Sequence, residues 1–206
     1  MATPGVRNMD KFLRDKPKFL AFITKIIYIF NEKFPLKEGE MKALVAYYSD
    51  TGNTEKLAQG VYEGIEKAEK DILPIKEVKE VEDFDIIFCG FPVQSHSVPG
   101  KAEAFIKSIP AGKKLALFAT HGSLRGGPLA IEAFYYALSL TSKGTVLGTF
   151  GCRGKVKSSI LDALMNKDEH RSWAIEAQSA ASHPDDEDLE DAKSWAKSIL
   201  AKAGGQ

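Results

Sequence analysis

From Met41 onward, short apolar runs alternate with longer segments in which apolar residues recur every three or four positions. Continuous apolar runs are typical of strands buried on both faces of a parallel sheet. They predict five strands, at 42–49, 72–75, 85–93, 114–119 and 145–150. Pro74 in the second run favours an edge strand, because proline donates no hydrogen bond to a neighbouring strand.

The segments between these runs carry their apolar residues on one helical face. They predict helices at 54–69, 100–108, 128–141, 156–165, 170–181 and 185–202. Strands that alternate with helices indicate an α/β protein, a doubly wound three-layer sandwich built on a five-stranded parallel sheet.

The first forty residues have a different pattern from the remainder. Apolar residues at helical spacing predict a helix over 9–33, and 34–40 is polar enough for a linker. We therefore divide the chain into an N-terminal helical extension with its linker, 1–40, and a domain, 41–206. Within the domain, 155–184 is an insertion-like helical stretch before the last helix.

The role of the extension stays open between two interpretations. Its apolar stripe is typical of a helix that packs on the domain or on another subunit, which would make the protein a homodimer. Residues 1–40 also contain eight Lys/Arg and five Asp/Glu, and a basic amphipathic helix can lie on a membrane surface. We favour packing over membrane contact.

The composition argues against some classes of function. The 206 residues include 28 Lys and Arg and 28 Asp and Glu, so the net charge is zero and gives no reason to expect nucleic-acid binding. Cys89 and Cys152 belong to no CxxC pair and to no cluster with zinc spacing, so no metal site is predicted. Two lone thiols and the lack of a recognisable signal sequence favour the cytoplasm.

The loop between the first strand and the first helix is the most informative segment. Ser49, Thr51 and Thr54 offer hydroxyls, and Gly52 allows close backbone approach at a helix N-terminus, where anions bind. The loop contains neither GxxxxGK[ST] nor GxGxxG, which argues against a nucleoside triphosphate or a dinucleotide. It suits a terminal monophosphate. The alternative is that Thr51 or Thr54 merely caps the helix.

Ser-Asp-Thr-Gly-Asn-Thr after Lys-Ala-Leu-Val-Ala-Tyr-Tyr resembles the phosphate loop of the flavodoxin family, Ser/Thr-x-Thr-Gly-x-Thr. The close of the fifth strand is similar as well, at Leu147, Gly148, Phe150, Cys152 and Gly154. The resemblance covers about residues 41–206. It implies strand order 2-1-3-4-5, with flavin mononucleotide (FMN) bound at the carboxyl ends of the strands.

The resemblance also implies which residues hold FMN. The phosphate would be held by the loop after the first strand, which contains Ser49, Asp50, Thr51, Gly52, Asn53 and Thr54. One side of the isoalloxazine ring would be bordered by the loop after the third strand, with Pro92, Val93, Gln94, Ser95 and His96. The other side would be bordered by the loop after the fourth strand, with Thr120, His121, Gly122, Ser123, Arg125, Gly126 and Gly127.

Two features depart from the family pattern. Neither ring loop contains an aromatic residue, so His96 or Val98 would cover one face of the ring and His121 or Leu124 the other. Flavodoxins are strongly acidic, whereas this chain is neutral, which suits a different redox partner or an anionic substrate.

Three candidate functions follow from these features of the sequence. The first is an FMN protein that carries electrons to or from a partner protein or small acceptor, or acts as a small FMN-dependent oxidoreductase. The alternative is an interaction module that has kept the flavodoxin fold and lost FMN. A receiver domain is disfavoured, because the third strand ends in Phe-Pro-Val without a phospho-acceptor aspartate.

Overall fold

The computed structural model of the protein describes residues 41–141 and 143–205. The predictions made for 1–40, which are the helix over 9–33, the linker, and a contact with a membrane or a second subunit, lie outside the described residues.

The described residues form one five-stranded parallel sheet in the order β2-β1-β3-β4-β5, which confirms the predicted fold class and strand order. Its strands are β1 (Lys42–Tyr47), β2 (Glu69–Pro74), β3 (Ile86–Pro92), β4 (Lys114–His121) and β5 (Thr145–Arg153). The helices are α1 (Asn53–Gly64), α2 (Gly100–Ser108), α3 (Pro128–Leu140), α4 (Ser158–Met165), α5 (Asp168–Gln178) and α6 (Asp186–Ala203).

Helices cover both faces of the sheet, and apolar side chains fill the two interfaces between the sheet and the helices. Leu57 of α1 and Ile199 of α6 pack on one face, against Phe88 and its neighbours. Ile106 of α2 and Ala137 of α3 pack on the other face. The central strands are apolar throughout because both of their faces are covered.

The first helix is shorter than predicted. The pattern indicated a helix over 54–69, but α1 ends at Gly64 and Glu69 already pairs with Lys42 in the sheet. An added Cβ on Gly64 would clash with the Lys193 carbonyl oxygen, so α1 and α6 cross here at close range. The strand predicted at 72–75 starts earlier, at Glu69. Its first residues are polar, so the hydrophobic pattern did not indicate a strand there.

Parallel strands bring all of their following loops to one edge of the sheet. The loops that follow β1, β3, β4 and β5 meet there, and so do α4 and α5, which pack against each other. The predicted insertion 155–184 thus lies at the carboxyl edge of the sheet, where ligands bind in doubly wound folds. Among the residues that the structure describes, no helix is long and apolar enough to cross a membrane.

Candidate functional site

A solvent-open cleft of about 110 Å³ lies at the carboxyl edge of the sheet. Its lining contains predicted site residues from all three loops, namely Asp50, Thr51, Asn53, Pro92, Val93, Gln94, Thr120, His121 and Gly122. Five residues from outside the three predicted loops also line it, namely Gly154, Lys155, Val156, Lys157 and Ile160. The structure therefore brings the three predicted loops together around one cleft and adds a fourth segment.

Two larger hollows, of about 350 and 340 Å³, lie near Met41 and near Pro110. Both are at the amino edge of the sheet, and neither is lined by a predicted site residue. Size alone would favour them. The convergence of loops from four strands favours the smaller cleft, because that edge is where the fold places its ligands.

The loop after β1 has the geometry of an anion site. Gly52 stands at the start of α1 with φ of 89°, a left-handed conformation that suits glycine. No side chain of the described residues caps this helix, so neither Thr51 nor Thr54 has the capping role considered above. The first-turn amides, together with the hydroxyl of Thr51, fit an oxyanion such as a phosphate monoester.

Thr54 does not face the solvent with the rest of its loop. Its side chain is buried, and its Oγ1 lies 2.8 Å from Oγ1 of Thr120 at the end of β4. This hydrogen bond fixes the loop 49–54, which we call the anion loop, against the loop after β4. The loop after β4 borders the other side of the cleft.

The loop after β3 turns tightly at Ser95 and His96, which have φ of 47° and 59°. Gln94 and Ser97 close the turn by exchanging backbone hydrogen bonds of 3.0 and 2.9 Å. Two consecutive positive φ values are costly for residues with side chains, which makes this turn a strained segment beside the cleft. The side chains of Ser95 and His96 are exposed and do not line the cleft.

His121 is buried at the end of β4, and its Nδ1 lies 2.9 Å from the carbonyl oxygen of Ser123. That oxygen can only accept, so the ring holds its proton at Nδ1. Burial lowers the pKa of His121, and the positive charges of Arg153 and Arg125 lower it further. The imidazole is thus neutral at pH 7 and keeps its proton for a structural bond.

Arg125 points away from the cleft. Its Nη1 lies 2.6 Å from Oδ2 of Asp191 on α6, its Nε donates to the Gly151 carbonyl at 3.1 Å, and its guanidinium stacks over Phe150. Gly126 and Gly127 form the turn that leads into α3 and, like Ser49, Gly52, Thr54 and Ser123, do not line the cleft.

The segment Gly154–Lys157, which we call the strap, lies outside the three loops that the resemblance assigned to the site. It crosses from β5 to α4 beside the anion loop. The side-chain amide of Asn53 donates to the Lys155 carbonyl at 2.8 Å, and the Lys155 amide donates to the His183 carbonyl at 2.9 Å. The residues lie about a hundred positions from the anion loop, and only the strand order reveals that the two are neighbours.

The insertion packs on the loop after β4. Trp173 of α5 donates from its indole nitrogen to Ser123 Oγ at 2.9 Å, and the amide of Leu124 donates to Glu176 Oε1 at 2.7 Å. Arg153 donates to the Glu176 carbonyl at 2.8 Å, at the C-terminal end of α5, where a positive charge is favourable.

Neither cysteine is set up for thiol chemistry. Cys89 and Cys152 are fully buried, and burial raises the pKa of Cys89 to about 12. Burial also raises the pKa of Cys152, which lies beside the strap. A thiol at neutral pH is a weak nucleophile, so Cys152 serves packing.

Comparison with known proteins agrees with this geometry. Residues 44–197 match the flavodoxin domain family. The flavodoxin-like domain-containing protein BilS of Clostridioides difficile is 31% identical over 175 residues, which cover 79% of this chain and 98% of BilS. The structure of a flavodoxin from the domain Archaea superposes with a TM-score of 0.53 at 22% identity, over 80% of this chain and 99% of that one. The chain belongs to the flavodoxin family.

Proposed function

We propose that the protein binds FMN in the cleft at the carboxyl edge of the sheet. It would carry electrons to or from a redox partner protein or a small acceptor, or act as a small FMN-dependent oxidoreductase. The observation that carries the proposal is the uncapped N-terminus of α1 at one end of a cleft built from the loops that follow β1, β3, β4 and β5. Membership of the flavodoxin family supports the same ligand class.

The chain's own residues would bind and orient the cofactor. The first-turn amides of α1 and the hydroxyl of Thr51 would hold the phosphate, while Ser49 Oγ accepts from the Gly52 amide at 3.1 Å and supports the loop. Val93 and Gly122 would border the ring on two sides, and Ile160 of α4 would exclude water from a third. FMN, when bound, supplies the one- and two-electron redox chemistry.

Near the ring, the protein supplies shape and fixed dipoles. His121 keeps its proton on Nδ1 for the Ser123 carbonyl and, as a neutral group, adds no charge to the cleft. The charged residues that line the cleft within the described ranges are Asp50, Lys155 and Lys157. Their sum is one positive charge, which favours an anionic ligand.

The test is a titration of the purified protein with FMN and with riboflavin, followed by flavin fluorescence. We expect saturable binding of FMN, and we expect Thr51→Ala to weaken it about tenfold, the value of one hydrogen bond to a charged group. Thr145→Ala, a matched exposed threonine at the amino edge of the sheet, should leave FMN affinity unchanged.

If the wild-type protein bound no flavin, the alternative would hold, namely an interaction module on the flavodoxin fold. In that case the loop after β1 would serve only to connect β1 with α1.

A further inference from the structure

Lys157 places a cation at the anion loop. Its Nζ lies 2.9 Å from Oδ2 of Asp50, a member of that loop, and both side chains line the cleft. The two side chains remain about half exposed, at 48% and 45%. The strap therefore delivers an ammonium group to the end of the cleft where the phosphate would bind.

The strap's position does not depend on this ion pair. Its backbone is held by the Asn53 amide on one side and by the His183 carbonyl on the other. Gly154 approaches the anion loop so closely that an added Cβ would lie 3.0 Å from Asn53 Nδ2. An exposed ion pair contributes little to stability, so the backbone contacts and not the ion pair anchor the strap.

The ammonium group has donors to spare. It carries three hydrogens, and Oδ2 of Asp50 accepts from it in the described contact. A phosphate monoester carries a charge of about −1.5 to −2 at pH 7 and offers three strong acceptor oxygens. Such a dianion beside Asp50 would be repelled unless a cation neutralised one of the two anions.

We propose that Lys157 binds the phosphate of the flavin and makes the cleft select FMN over riboflavin. Asp50 holds the Lys157 ammonium group in place while no flavin is bound. This inference rests on the proposed function. It assigns the insertion after β5 a share in cofactor selection, because the lysine comes from the strap and not from the loop after β1.

The test compares FMN and riboflavin affinities in Lys157→Gln, Lys157→Arg and Asp50→Asn. Lys157→Gln should weaken FMN about five- to tenfold and leave riboflavin unchanged, since the lost contact is a charge-assisted hydrogen bond to phosphate. Lys157→Arg should restore most of the FMN affinity. Asp50→Asn should tighten FMN binding, because it removes both a competing acceptor and a like charge.

Lys167→Gln is the control for a general loss of surface charge, because Lys167 is an exposed lysine between α4 and α5 that does not line the cleft. The pH provides a second readout. Below about pH 6 the phosphate loses its second charge, so FMN selectivity should fall in the wild type and not in Lys157→Gln.

Equal losses of FMN and riboflavin in Lys157→Gln would overturn the inference, because they would mean that the lysine only holds the strap. Unchanged FMN affinity in that variant would overturn it as well. Both results leave the proposed function standing, whereas a wild-type protein that binds neither flavin would remove the proposed function itself and this inference with it.

Discussion

The two ends of the cleft are built in different ways. The phosphate end, which we define as the loop 49–54 with the strap, takes its backbone amides and hydroxyls from one contiguous loop, to which the strap adds Lys157. The ring end, defined as the loops 92–98 and 120–127 with Ile160, takes its shape from α4 and α5. Local chemistry makes the first end, and long-range packing makes the second.

This difference bears on how each end tolerates change. A helix N-terminus presents its amides whatever the neighbouring side chains are, so the phosphate end depends on a few conformational requirements such as the left-handed Gly52. The ring end lacks the aromatic residues that the family pattern implied and instead has aliphatic Val93 and Ile160. The geometry of the ring end therefore depends on the packing of the insertion.

Removing Trp173 should have the largest effect, and only at the ring end. Trp173→Ala deletes the indole that lies over Gly122 and its hydrogen bond to Ser123. We expect the free energy of unfolding to fall by about 2–4 kcal/mol, somewhat below the value for a fully buried tryptophan. Urea unfolding measures this loss, and flavin titration should show FMN and riboflavin weakened alike.

Trp173→Phe separates the two contributions of the indole. It keeps most of the packing and loses the N–H donor, so we expect a loss of only about 1 kcal/mol. A loss in Trp173→Ala that affected FMN alone would contradict the division of the cleft into two ends.

Two glycines allow a smaller and matched perturbation. An added Cβ at Gly122 would lie 2.6 Å from Val156 Cγ2 and 3.1 Å from the Trp173 ring, whereas one at Gly154 would lie 3.0 Å from Asn53 Nδ2. Gly122→Ala should cost about 1–2 kcal/mol by forcing the insertion away from the ring end. Gly154→Ala should cost about 1 kcal/mol, because the Asn53 amide can shift while the Cβ atoms of Asn53 and Thr120, each 3.2 Å away, must move by a few tenths of an ångström.

The affinities for FMN and riboflavin should distinguish these variants. Gly122→Ala should weaken both flavins, and Gly154→Ala should weaken FMN more than riboflavin. Gly100→Ala serves as the control, because an added Cβ there meets nothing within 4 Å and Gly100 begins α2. The same flavin preference in Gly122→Ala and Gly154→Ala would show that the strap and the insertion act as one unit.

Much of the fold could be predicted, because the continuous apolar runs of β1, β3 and β4 and the repeated strand–helix order leave few alternatives. The edge strand β2 was the exception. Glu69, Lys70 and Asp71 face solvent or the sheet edge, so its first half lacks an apolar signal and continues the helical pattern before it.

The candidate site divides in the same way. The anion loop is a contiguous motif between a strand and a helix, so its position at the cleft could be predicted. The strap could not, since Lys157 meets Asp50 across a sequence separation of 107 residues. Arg125 was predicted near the ring on its place in the loop, but its side chain turns to Asp191, a contact that no local pattern encodes.

The smallest effect concerns the charge state of the ring end. Burial lowers the pKa of His121 in the folded protein, so below the unfolded value of about 6.5 the unfolded chain binds a proton that the folded chain does not. Stability is therefore complete above that pH and declines as the pH falls from about 6.5 toward the lowered folded pKa. One proton changes the free energy of unfolding by at most about 1.4 kcal/mol per pH unit within this window.

His121→Asn should flatten this decline, since asparagine does not titrate and its amide can still donate to the Ser123 carbonyl. The measurement is the free energy of unfolding of both proteins at pH 7.5 and pH 5.5, and the contributions of all other groups cancel in the difference between the two proteins. An equal acid-induced loss in both would mean that His121 takes up its proton while folded. The ring end would then hold a cation in acid and attract an anionic flavin, which its present neutrality does not.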